Sequence, residues 1–90
     1  MTVLTGDAAA QAAGMPLAED GRAWVEALYT EYGLRVYRFM HYRLGNRDQA
    51  EDLTGLTFQR VIENRHRFDP GKGSEAVWLF TIARRVLIDH

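Results

Sequence analysis

From Asp20 to His90 apolar residues return every three or four positions, and no segment alternates apolar and polar with period two. A spacing near 3.6 gathers such residues on one face of a helix, whereas a half-buried strand needs strict alternation. The pattern therefore predicts an all-α chain, a compact bundle of three to four short helices. Trp24, Val25, Leu28, Tyr29 and Tyr32 make the first stripe. Gly33 permits a break or kink, Val36, Tyr37, Met40 and Leu44 carry the stripe on, and Gly45 stops it. Asn46 or Asp48 can cap a second helix, with Gln49 or Glu51 three residues later closing a capping box. That helix should run to about Asn64. In Phe68-Asp-Pro-Gly-Lys-Gly-Ser74, Pro70, Gly71 and Gly73 forbid regular structure, and Ser74 can cap a last helix over 75–90. No stop signal precedes His90, as expected of a domain cut from a longer protein.

Ninety residues can bury one simple core and no more. Residues 1–19, Ala-rich and broken by Gly14 and Pro16, are expected to be a flexible tail ahead of a helical domain over 20–90. The absence of cysteine excludes a disulfide, a thiolate zinc site and a thiol nucleophile. No apolar run approaches the ~18 residues of a membrane span, so no membrane insertion is expected. The first basic residue is Arg22, which leaves no charged start for a secretory signal, and a cytoplasmic setting is expected. Net charge is −1, unevenly spread: residues 1–32 hold one arginine against five carboxylates, and residues 33–90 hold ten basic against seven acidic groups. Ten of the eleven basic residues are arginine, which suits bidentate phosphate contacts and also a genome rich in arginine codons.

At 100° per residue the second helix separates into two faces. Ala50, Thr54, Thr57, Phe58, Val61 and Ile62 cluster as core, while Asp52, Leu56, Gln59 and Glu63 lie opposite with Gly55 at the edge. An exposed leucine beside a mid-helix glycine and flanked by acids reads either as a dock for a basic partner helix or as a solvated face with one stray leucine. In the last helix Leu79, Ile82, Ala83 and Val86 face one way, Val77, Thr81, Arg84 and Ile88 the other, with Trp78 and Arg85 at the boundary. Those arginines, next to a Gly-Lys-Gly-Ser loop, can hold a nucleic-acid strand; the plainer alternative pairs Arg85 with Asp89 and buries Trp78.

Catalytic readings find little support. Glu63-Asn-Arg-His66 has the Glu-x-x-His spacing of a di-iron bundle, but that chemistry needs two copies and two further glutamates. Gly71-Lys-Gly-Ser74 lacks the spacing and the preceding strand of a phosphate-binding loop, and His41 and His90 have no spaced ligand partners. Neither enzymatic activity nor a cofactor is expected.

Leu28-Tyr-x-x-Tyr-Gly33, Gly45-Asn-Arg-Asp-Gln-Ala-Glu-Asp-Leu53, Phe58, Arg67-Phe-Asp-Pro70, Trp78-Leu-x-x-Ile-Ala-Arg84 and Ile88-Asp-His90 follow in order. Together they resemble region 2 of extracytoplasmic-function sigma factors, the promoter-specificity subunits of bacterial RNA polymerase. The resemblance implies that the second helix binds a coiled coil of the polymerase β′ subunit through Glu51, Asp52, Gly55, Leu56 and Gln59. It implies that Lys72, Gly73, Ser74, Glu75, Trp78, Thr81, Arg84 and Arg85 meet the non-template strand of the minus-ten promoter element, melted and with a base flipped out. An anti-sigma factor is a further implied partner. A helical interaction module bound by such a regulator, without DNA engagement, is the alternative. Three places depart from the family pattern. Gly55 stands for the usual Gln and is followed by Leu56 where an acid is common. Glu75 replaces an aromatic or leucine after the loop's Gly-Ser, and Arg85 replaces an Asn. The linker and second DNA-binding domain of such factors are not in the sequence, so binding of the upstream promoter element is not expected of it.

Overall fold

The computed structural model describes residues 20–90; the expected tail over 1–19 lies outside the described residues. Three α-helices follow one another: α1 (Asp20–Leu44), α2 (Arg47–Asn64) and α3 (Glu75–Asp89), with a single 3-10 turn, Arg65–Arg67, after α2. The described residues contain no strand.

α1 runs unbroken through Gly33, against the expected break. A mid-helix glycine costs only ~1 kcal/mol, and burial of Leu28, Val36 and Met40 on either side outweighs it. The glycine serves packing instead. A Cβ there would sit 3.3 Å from the Tyr29 ring, which reaches across to meet Phe58 of α2 edge-on at 5.0 Å. Gly45 does end the helix: with φ at 65° it adopts the left-handed turn that glycine tolerates best, and its N–H returns to the His41 carbonyl at 2.8 Å. Asn46 then caps α2, its side chain accepting from the Gln49 N–H at 2.8 Å. Because the link is two residues long, α2 turns back along α1.

The core draws on all three helices: Val25, Leu28, Val36 and Met40; Ala50, Leu53, Phe58 and Val61; Leu79, Ala83 and Val86. Thr54 and Thr57 are buried among them as expected, their hydroxyls donating to the Ala50 and Leu53 carbonyls at 2.7 Å, so neither polar group is left unpaired. Two assignments on α2 change. Ile62, expected in the core, is 46% exposed because it lies about 110° around the helix from the centre of the buried face. Leu56, expected to be exposed, is half-buried because α3 approaches that flank of α2.

Candidate polymerase and nucleic-acid surfaces

Four of the five residues expected to meet polymerase, Glu51, Asp52, Gly55 and Gln59, form one exposed strip along α2. Leu56 lies at its edge and leans into the groove between α2 and α3. The strip is partly organised. The Gln59 amide donates to Glu63 at 3.4 Å, and Glu63 in turn pairs with Arg60 at 3.2 Å. Asp52 has no cation within ion-pair distance among the described residues. A Cβ at Gly55 would meet nothing within 4 Å, so no contact inside the domain requires glycine there. Beside it, Glu51, Thr54 and Gly55 border an open cleft of about 610 Å³ with Tyr29 and Leu34 of α1. Tyr29, expected in the first apolar stripe, is exposed instead, and Leu34 was not singled out in the sequence, because their place beside Gly55 depends on how α1 and α2 pair.

The loop after α2 is built on its own hydrogen bonds. Asp69 accepts from the Gly71 N–H through its side chain and from the Lys72 N–H through its carbonyl, each at 2.9 Å. The Ser74 hydroxyl accepts from the Val77 N–H at 3.1 Å and starts α3. Phe68 anchors the loop, its ring 5.6 Å from Trp24 and 5.4 Å from Trp78, with the two tryptophans 5.7 Å apart. Lys72, Gly73, Ser74, Trp78 and Thr81 border one cavity of about 210 Å³. Trp78 and Thr81 also border the neighbouring groove between α2 and α3, about 440 Å³, together with Leu56 and Arg85.

Two expected DNA residues lie elsewhere. Glu75 faces away from the loop cavity: Trp24 Nε1 donates to its carboxylate at 2.8 Å. Arg84 is exposed on the flank of α3 that the groove does not reach, whereas Arg85 lines the groove. The pairing of Arg85 with Asp89 is not formed; Arg60–Glu63 is the ion pair present among the described residues. No three His, Asp or Glu side chains gather among those residues where they could hold a metal ion. No described helix is long and apolar enough to cross a membrane.

The described residues thus form a three-helix domain with an acidic strip on one helix and an aromatic-anchored loop ahead of an arginine-bearing one. Residues 28–90 match the sigma-70 region 2 family, and the chain belongs to that family. It is 41% identical over 63 residues to the ECF RNA polymerase sigma factor BldN of Streptomyces coelicolor, covering 70% of this chain and 24% of that protein. It is 39% identical over 64 residues to the ECF RNA polymerase sigma factor SigX of Bacillus subtilis, covering 71% and 32%. With the ECF RNA polymerase sigma factor SigL of Mycobacterium tuberculosis it shares 32% identity over 90 residues, the whole of this chain and 45% of the other. The chain thus spans between a quarter and a half of the length of these curated relatives. No solved structure matches it.

Proposed function

We propose that the domain joins core RNA polymerase to promoter DNA: the α2 strip docks on the β′ coiled coil, while the loop and α3 capture the non-template minus-ten strand as single-stranded DNA. The observation that carries this reading is the adjacency of the loop cavity and the α2–α3 groove, both of which Trp78 and Thr81 line. An unstacked base can enter the cavity while Arg85 remains available to the adjoining strand. Placement of the Glu75 carboxylate on Trp24 supports the same reading, since an acid facing the loop cavity would repel phosphate. In this proposal the domain contributes binding and strand separation to initiation and performs no catalysis of its own. The anti-sigma factor implied by the resemblance would act by covering either surface.

Fluorescence titration with a single-stranded minus-ten oligonucleotide and a panel of single-base variants tests the DNA half. Wild type should prefer one sequence and bind single strand better than duplex. Ser74 variants should change the preferred base, and Arg85→Ala should lower affinity. Absence of any sequence preference, with Arg85→Ala matching wild type, would leave the interaction-module alternative. For the polymerase half, Asp52→Lys should weaken capture by the β′ coiled coil while shifting stability by less than about 0.5 kcal/mol. Unchanged capture would mean that the docking face is elsewhere.

A further inference from the structure

Along the seam where α1 meets α3, arginines and aromatic rings form a ladder that the DNA-reading residues above do not include. Arg35 Cζ lies 5.4 Å from the centre of the Tyr32 ring and 5.9 Å from that of Phe80. Phe80 meets Phe39 edge-on at 5.9 Å, and Arg43 Cζ lies 5.0 Å over Phe39. The three rings are half-buried against the core, and both guanidinium groups belong to exposed residues. Stacking occupies the face of a guanidinium and leaves its edge, with its fork of N–H donors, free to bind. The contact also restricts the side chain, so less freedom is lost when a ligand arrives.

Arginines on α2 and the turn after it are engaged differently. Arg60 is paired with Glu63, and Arg65 donates to the Ile62 carbonyl at 2.6 Å. Arg35 and Arg43 make no hydrogen bond or ion pair among the described residues, so their donors are unspent. No ion pair neutralises them. From Leu34 to Arg47 the chain carries four arginines and no carboxylate. Glu31, four residues before Arg35, and Glu75 on α3 border the same cleft as Tyr32, and Asp48 is the carboxylate nearest Arg43 in the chain, yet none of the three forms an ion pair with either arginine. On α3, exposed Arg84 follows Phe80 by four residues, so it stands next to the ladder on the same side of that helix.

We propose that this seam is a second nucleic-acid contact, in which Arg35 and Arg43, held against Tyr32, Phe80 and Phe39, bind backbone phosphates beside Arg84. The ladder rests on the reading of α3 as the DNA-bearing helix and extends its path onto α1. Phosphate is the ligand chemistry that suits guanidinium forks that no carboxylate has paired. Contacts of this kind position a strand and carry no sequence information.

The test is anisotropy titration of the full chain with the single-stranded minus-ten oligonucleotide over a salt series, using Arg35→Gln/Arg43→Gln, Arg35→Lys/Arg43→Lys and Arg85→Ala. Each phosphate neutralised on a single strand contributes about 0.7 to the slope of log affinity against log salt. The glutamine double variant should bind on the order of tenfold more weakly at low salt, equally for every base variant, with a slope shallower by about 1.4. The lysine double variant should keep the wild-type slope, because charge survives where the stack does not. If the glutamine pair unfolds the domain, Arg35→Gln alone should flatten the slope by about 0.7. Wild-type affinity and slope in the glutamine variants, with Arg85→Ala still impaired, would overturn the ladder and leave the promoter reading intact. Wild-type behaviour in all variants, Arg85→Ala included, would overturn both. Loss of β′ coiled-coil capture with DNA binding unchanged would make the seam a protein contact and overturn the proposal.

Discussion

At the scale of single residues, the contact between Trp24 and Glu75 joins positions 51 apart in the chain. The indole donates to a carboxylate at the first turn of α3, where the helix's positive end favours negative charge, and the two tryptophans and Phe68 pack around the loop. A hydrogen bond to a charged group is worth about 1.5 kcal/mol or more when shielded, and this one is part-buried. Trp24→Phe and Glu75→Ala should therefore each destabilise the domain by about 1–1.5 kcal/mol in urea denaturation. Their double-mutant cycle should give a coupling near 1 kcal/mol, and a coupling near zero would show that the bond contributes nothing. The Phe68-to-Ser74 loop and the Trp78 stretch were legible as a motif, because their residues are consecutive. Trp24 was not, since it precedes the family match at residue 28 and only the folded chain brings it to Glu75. The same holds for the contacts that Phe80 of α3 makes with Arg35 and Phe39 of α1.

At the scale of elements, local chemistry was readable and helix pairing was not. Gly45, Asn46 and Ser74 act within four residues of their partners, so the ends of α1 and the starts of α2 and α3 follow from sequence. Leu56 was misread because α3 covers its flank, Ile62 because it lies too far round α2 from the buried face, and Gly33 because burial on either side outweighs its helix cost. The glycines of the first two helices and their connection now separate by cause. At Gly45, φ of 65° penalises any side chain, and Gly45→Ala should cost about 1 kcal/mol. At Gly55 a Cβ enters open space on an ordinary helical backbone, so Gly55→Ala should stabilise the isolated domain by about 1 kcal/mol. If a partner helix approaches closely at that point, the same substitution weakens β′ coiled-coil capture. A stabilised variant with undiminished capture would show that the glycine does not serve docking.

For the molecule as a whole, the arrangement of the core governs how the domain comes apart. α3 is 15 residues, at the edge of the length below which an isolated helix is marginal in water, and α2 is 18. Each is held by shared burial: Leu79, fully enclosed, belongs to the same cluster as Met40 and Val61 from the other helices. The smallest dimension is 17 Å, too thin for a second, independent apolar layer. Detaching α3 would therefore expose the faces of α1 and α2 that it covers, and residues 20–90 should unfold as one cooperative unit. The tryptophans supply a local probe, since Trp24 and Trp78 report the seating of α3 on α1 while far-UV circular dichroism reports all helices. The two transitions should coincide in wild type. Leu79→Ala should lower stability by about 3 kcal/mol and shift both probes together. Fluorescence changing ahead of dichroism, in wild type or in Leu79→Ala, would mean that the arginine-bearing helix can leave its seat while the α1–α2 hairpin stays folded. DNA binding and polymerase docking would then reside in separable units.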